Sequence, residues 1–181
     1  MNEKDYELFL KARQYIDNHE DDKGVSILEE MIKRSNRKAA YELATYYQER
    51  NEINKAINFY ILSADLGYKD SFIKLGKIFY ELKNYKESYR YFMNVENKKE
   101  VYLYLGIMEL EGLIKHSDKK RAFHYFLMGA KKNKEECHYY LAYCYHNGIG
   151  VKANKEKENY HLKKIHRLQI EDKYHLLSKI N

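Results

Sequence analysis

The sequence contains no proline and no tryptophan, and only eight of its 181 residues are glycine. Proline and glycine are the two residues that most strongly interrupt helices. Lysine, glutamate, leucine and alanine, which favour helices, are abundant. This composition predicts a chain that runs from one helix to the next, so we expect an all-α fold.

Long apolar runs are also missing. The opening stretch MNEKDYELFLKA is charged throughout, which argues against a signal peptide, and no segment approaches the roughly 20 apolar residues of a membrane span. Cys137 and Cys144 would lie about 10 Å apart on one helix, too far for a disulfide. We therefore expect a soluble cytoplasmic protein without membrane association, in a reducing compartment.

The charge is uneven along the chain. The net charge is +6, but residues 1–36 carry −3 and residues 37–181 carry the remaining +9. One basic run is a candidate site for phosphate or an acidic partner. Its residues are Lys115, Lys119, Lys120, Arg121, Lys131 and Lys132. The alternative is a solvated turn and helix face, which is the usual role of such a run.

A small residue recurs every 30–36 positions, usually after a leucine: Ala12, Ala44, Gly76, Gly106 and Ala142. Apolar residues stand three positions before and after each one, with Glu109 as an exception, and this spacing predicts helices. A second set of small residues follows 12 to 16 positions later: Gly24, Ala56, Ser88 and Ala122, with Glu158 or Lys157 in the last copy. Small residues at these points would let two helices approach closely.

Each repeat is thus predicted to form two amphipathic helices, which bury a continuous core only by stacking. The sequence predicts a single domain, an α-α superhelical solenoid of about five helix-turn-helix repeats with a C-terminal capping helix. The repeats are placed at residues 5–36, 37–68, 69–98, 99–133 and 134–166, and the cap at residues 167–181.

The repeat pattern resembles tetratricopeptide repeats and the related Sel1-like repeats. The stretch LAYCYHNGIGVKANKEKENY is similar to the Sel1-like signature, and SADLGYKDS is similar to that family's link between repeats. The resemblance implies a scaffold or adaptor that binds other proteins and has no catalytic residues. It names no partner.

Gly148, Gly150 and Ala153 spell G-x-G-x-x-A, one form of the fingerprint that binds dinucleotide phosphates. That fingerprint requires a preceding strand, whereas this stretch follows a predicted helix. We interpret it as a turn between the two helices of a repeat, in which Gly148 ends the first helix in the left-handed conformation.

Other chemical motifs are weak. Cys137, His138, Cys144 and His146 suggest a zinc site, but their spacing does not match the usual close ligand pairs. Buried thiols and surface histidines are the preferred interpretation. No nucleophile, phosphate-loop or metalloprotease motif occurs. We expect no enzyme, no cofactor and no metal.

The resemblance also implies which residues face the concave surface of the stack. Carried over position by position, the candidates for partner binding are Tyr41, Thr45, Gln48, Lys77, Tyr80, Ile107, Glu111, Tyr143 and His146. Tyrosines beside polar groups are typical of binding hot spots. The alternative is that several of these tyrosines only pack between repeats, most of all those three positions before a small residue.

The expected partner is another protein, bound as an extended segment or a helix in the groove. Chaperone-tail binding is not predicted, because Thr45 stands where that clamp needs asparagine. The alternative function is an RNA- or nucleic-acid-associated accessory protein, based on the basic C-terminal two-thirds of the chain.

Overall fold

The computed structural model describes residues 3–95 and 99–165, and these residues form ten α-helices without a strand. The all-α class predicted from the composition is confirmed. The predicted cap at residues 167–181 lies outside the described residues. The helices are α1 Glu3–Asp17, α2 Asp21–Lys33, α3 Arg37–Glu49, α4 Ile53–Asp65, α5 Lys69–Glu81, α6 Tyr85–Met93, α7 Lys99–Leu110, α8 Lys119–Ala130, α9 Glu135–Asn147 and α10 Lys155–Leu162.

The chain divides into two compact units, Met1–Lys83 and Asn84–Asn181. In the first unit α1 packs on α2 and α3 packs on α4, with α2 against α3 and α4 against α5. In the second unit α7 packs on α8 and α9 packs on α10, with α8 against α9. The division falls inside the predicted third repeat, between α5 and α6, so the single domain remains a prediction.

The small residues lie where two helices meet closely. A Cβ atom added to Gly24 of α2 would lie 2.8 Å from the carbonyl oxygen of Ala12 on α1. A Cβ atom added to Gly106 of α7 would lie 2.4 Å from the ring of Phe126 on α8. Such contacts are shorter than van der Waals packing permits, so a larger side chain would displace α1 from Gly24 and the Phe126 ring from Gly106.

The last repeat carries a charged residue at the small position. Glu158 on α10 is only 4 % exposed. Its Oε1 atom lies 2.8 Å from Lys155 Nζ and 3.3 Å from His146 Nδ1. Burial works to raise the pKa of the Glu158 carboxyl, but the hydrogen bonds from Lys155 and His146 outweigh it and hold that pKa below its usual range.

Most helix ends turn without glycine. Six residues between helices adopt the left-handed conformation, with φ between 57° and 61°: His19, Ser35, Asn51, Lys83, His116 and Asn133. This conformation costs an L-residue other than asparagine or aspartate roughly 1–2 kcal/mol. The scarcity of glycine is therefore compatible with tight turns, at a cost in backbone strain.

Candidate functional site

The predicted concave positions of the second repeat form a hydrogen-bonded cluster around Tyr60, which is fully buried on α4. Its hydroxyl donates to Gln48 Oε1 at 2.8 Å and lies 3.1 Å from Thr45 Oγ1. The ring of Tyr41 meets the ring of Tyr60 edge-on at 5.4 Å. Burial raises the pKa of the Tyr41 hydroxyl. These three predicted side chains therefore help to hold α3 against α4.

The first unit also has a small acidic cleft between α1 and α3, of about 130 Å³. Thr45 is its one member from the predicted set. Its lining consists of Arg13, Ile16, Asp17, Glu42, Thr45, Tyr46 and Glu49. Arg13 Nε lies 3.1 Å from Glu42 Oε1, although burial raises the pKa of the Glu42 carboxyl. Lys77 and Tyr80 are half-buried on α5 and do not line this cleft.

The second unit has a cleft of about 230 Å³ that is lined by aromatic and aliphatic side chains, and we call it the tyrosine cleft. It is lined by Leu110, Glu111, Lys119, Tyr139, Tyr140, Tyr143 and Ile149. Tyr140 is fixed by stacking on Phe126, with ring centroids 4.6 Å apart. Helix α9 thus supplies three tyrosines to one concave surface.

Only part of the predicted set meets in the tyrosine cleft. Glu111 and Tyr143 do so, together with Lys119 from the predicted basic run. Ile107 instead packs against the core of the second unit, and His146 is exposed and faces Glu158. Sequence reasoning assigned no role to Tyr140. The sequence pattern also gives no role to Ile149, which lies in the glycine-containing loop.

That loop, residues 148–154, closes one side of the tyrosine cleft. Gly148 ends α9 with φ 67°, as predicted. Gly150 has φ 68°, and a Cβ atom placed there would lie 2.2 Å from the carbonyl oxygen of Lys119. The loop follows a helix and rests against the start of α8, so its glycines serve packing and Ile149 is held at the cleft.

Three segments of the chain match the Sel1 repeat, at residues 37–68, 100–134 and 135–157. The first segment has the bounds of the second predicted repeat, and the other two overlap the predicted repeats 99–133 and 134–166. The chain belongs to the Sel1 repeat family. Its fold is therefore that of an all-α repeat solenoid, as the sequence predicted.

Solved structures support the Sel1 fold. A Sel1 repeat protein from Oxalobacter formigenes has a TM-score of 0.79 at 19 % identity, covering 97 % of this chain and 86 % of that one. The protective antigen c5321 from uropathogenic Escherichia coli has a TM-score of 0.64 at 20 % identity. That match covers 88 % of this chain and 41 % of the antigen. Among curated proteins, none matches this chain.

The Sel1 repeat is generally a module for protein–protein interaction, and its fold is typically a non-catalytic scaffold. None of the described helices is long and apolar enough to cross a membrane. The basic run and the suggested zinc cluster of this Sel1 chain lie in the second unit.

The basic run extends over both ends of α8. Lys119 and Lys120 begin α8, whereas Lys131 and Lys132 follow its last residue, about 18 Å away at 1.5 Å per residue. Lys115 is exposed in the loop before α8. The sixth member, Arg121, is engaged within the protein.

Arg121 forms a two-pronged ion pair with Glu109, which is 1 % exposed. Arg121 Nε lies 2.8 Å from Glu109 Oε1, and Nη2 lies 3.0 Å from Oε2. The backbone N–H of Asp118 donates to Oε2 at 2.8 Å. Glu109, the exception in the apolar pattern, thus joins α7 to α8. Because its guanidinium is paired with Glu109, Arg121 is a poor candidate for binding an anionic ligand.

The cysteines and histidines of the suggested zinc cluster have separate environments. Cys137 and Cys144 are free and fully buried, and burial raises the pKa of each thiol to about 12. His138 Nδ1 lies 2.9 Å from His161 Nδ1. Within residues 3–95 and 99–165, no group of three or more potential ligands could hold a metal ion.

Proposed function

We propose that this protein is a non-catalytic adaptor and that the tyrosine cleft receives a segment of a partner protein. The observation that carries the proposal is the convergence of Tyr139, Tyr140 and Tyr143 on one concave surface. Large, rigid aromatic side chains provide much contact area at a low cost in conformational entropy, which is why they dominate binding hot spots.

The polar groups of the tyrosine cleft favour a protein segment as its occupant. Among the described residues, none forms a hydrogen bond or ion pair with the hydroxyl of Tyr143, the carboxylate of Glu111 or the ammonium of Lys119. A peptide offers amide donors and acceptors to such groups while one apolar side chain enters between the rings. The volume of about 230 Å³ suits one bulky side chain rather than a whole helix.

The concave positions of the second repeat support a focus on the second unit. Thr45 and Gln48 already bond with Tyr60, so a partner would have to displace an internal hydrogen bond to use them. Such displacement leaves a buried polar group without a partner, which costs about 1–3 kcal/mol. A partner that binds the hydroxyl of Tyr143 would displace no such internal hydrogen bond among the described residues.

The test is affinity capture from the cells in which the protein occurs, followed by mass spectrometry. Wild type is compared with Tyr143→Ala and with the control Tyr6→Ala, which removes a 49 % exposed tyrosine from α1. One discrete protein that is captured by wild type and the control but lost with Tyr143→Ala supports the adaptor function.

Each capture is divided into nuclease-treated and untreated halves and washed at moderate salt. Recovery that depends on nucleic acid or collapses with salt would instead favour the nucleic-acid alternative. Equal capture by all three folded proteins would contradict the assignment to the tyrosine cleft. Circular dichroism at neutral pH checks that Tyr143→Ala keeps its helical content.

A further inference from the structure

In the second unit, two histidine side chains meet where α10 packs on α9. His161 on α10 is 8 % exposed, and its Nδ1 atom lies 2.9 Å from Nδ1 of His138 on α9. The ring of His161 also stacks on Tyr145, with centroids 5.7 Å apart. These contacts hold the C-terminal turn of α10 against α9.

The geometry of the two imidazoles restricts their charge. At 2.9 Å one Nδ1 must carry a proton and the other must accept it, which neutral imidazoles satisfy in complementary tautomers. One added proton can enter at the outer nitrogen of the donor ring and leave this bond intact. A second added proton places two N–H groups and two positive charges face to face, so the contact cannot survive.

We propose that the contact between His138 and His161 is an acid-sensitive closure, and that protonation of both rings releases the C-terminal turn of α10 from α9. Release uncovers the surface of α9 around Tyr145, which is 7 % exposed when α10 is docked. Neutral pH keeps this surface covered, and mildly acidic pH opens it. This inference does not depend on the identity of any partner.

The charged groups around the pair act mostly against protonation. Lys164 acts on His138 and Lys157 acts on His161, while Glu135 at the start of α9 acts on His138 in the opposite direction. Tyr145 and Tyr160 cover the ring of His161 with neutral surface. Burial is the largest cause, and together with neighbouring charges it lowers the pKa of His161 from 6.5 to about 4 and also lowers the pKa of His138.

The sign of the effect follows from linkage. Each histidine binds a proton more weakly in the docked state than in the released state, so the contact stabilises docking fully above pH 6.5. That stabilisation is lost as the pH falls from 6.5 toward the lowered values. The contacts of Glu158 with Lys155 and His146 hold the first half of α10.

The decisive measurement is amide hydrogen exchange by NMR between pH 7.5 and 5.0, expressed as protection factors and recorded with a metal chelator present. The reporter is the amide of Lys163, which donates to Asn159 at the end of α10. The internal control is the amide of Glu158, which donates to Asn154 in the first turn. We expect protection of Lys163 to fall on the order of tenfold across this range while that of Glu158 is retained.

Two variants separate the histidine pair from other effects of acid. His138→Asn keeps a side-chain amide near His161 Nδ1 but removes one titratable group, so its loss of protection should shift at least about one pH unit lower. His124→Asn removes an exposed histidine of α8 and should follow wild type. Unchanged protection of Lys163 in wild type down to pH 5.0, or equal loss in His138→Asn, would overturn the proposal.

The imidazole resonances of the wild type give a second measurement that needs no variant. If the proposal holds, His161 titrates well below 6.5 and its shift changes together with that of His138. Independent titration of both rings near 6.5 would show that they do not share a proton, and the inference would fail even if His138→Asn could not be prepared in folded form.

Discussion

Gly150 lies directly against the carbonyl oxygen of Lys119, and a Cβ atom at Gly150 would come within 2.2 Å of that oxygen. This contact joins the loop of the fifth repeat to the first residue of α8. It also places Ile149 at the side of the tyrosine cleft. The fold of one Sel1 repeat thereby shapes a surface to which its neighbour contributes.

Gly150→Ala should therefore destabilise the protein by about 2–5 kcal/mol. Roughly 1–2 kcal/mol comes from the left-handed backbone and a further 1–3 kcal/mol from the overpacked contact with α8. Urea denaturation followed by circular dichroism measures the change. The control is Gly112→Ala, because Gly112 has φ 71° but nothing within 4 Å of its added Cβ, so it should lose only the backbone contribution. Equal losses in the two variants would show that the contact with Lys119 adds nothing.

Removing Glu109 and removing Arg121 from their buried ion pair should lower the stability of the protein by different amounts. Glu109→Leu should cost only about 1–2 kcal/mol, mainly for the N–H of Asp118, because Arg121 is half-exposed and can turn to water. Arg121→Leu should be clearly more destabilising, since it leaves a buried carboxylate without its cation. Thermal unfolding at pH 7 gives the order, with Lys120→Leu as the neighbouring control. A milder effect of Arg121→Leu than of Glu109→Leu would contradict this account.

The recurring small residues explain why the helical repeats could be read from sequence. Close helix contact tolerates few residue types, so Gly24 and Gly106 mark the contacts directly. The site was harder to predict. The helical register of α3 alone could not show that Thr45 and Gln48 form hydrogen bonds with Tyr60, since those bonds depend on a side chain from another helix. Ile149 lines the tyrosine cleft because of the course of the loop after α9, and the spacing of apolar residues in helices does not predict the course of a loop.

The charged residues show the same limit. Glu109 interrupts an apolar pattern, and its partner lies 12 residues later in a run that looked solvated or available to a ligand. Glu158 occupies a position that other repeats give to a small residue, because Lys155 and His146 compensate its charge. Pairing across helices is a property of the folded state, so a sequence pattern registers such residues only as exceptions.

Glycine should improve the turns that currently lack it. Ser35 has φ 60° between α2 and α3, and Ser35→Gly relieves strain that exceeds the entropy glycine loses on folding. We expect a gain of about 0.5–1 kcal/mol in the free energy of unfolding, measured by urea denaturation. Asn51→Gly is the matched control at the same φ, and it should gain less because asparagine tolerates this conformation well. A loss of stability in Ser35→Gly would argue that this turn is not strained.

The two cysteines should be unreactive in the native protein. Burial raises the pKa of Cys137 and Cys144 to about 12, so at pH 8 only about one thiol in 10,000 is ionised, and the thiolate is the reactive form. Reaction with a disulfide reagent such as Ellman's reagent should be at least about 100-fold slower than in denatured protein, where the pKa returns to about 8.5. Both thiols should then react together as the second unit unfolds, because they belong to the same packed cluster. Rapid modification of one cysteine in the folded chain would mean that α9 is not packed against α8 as described.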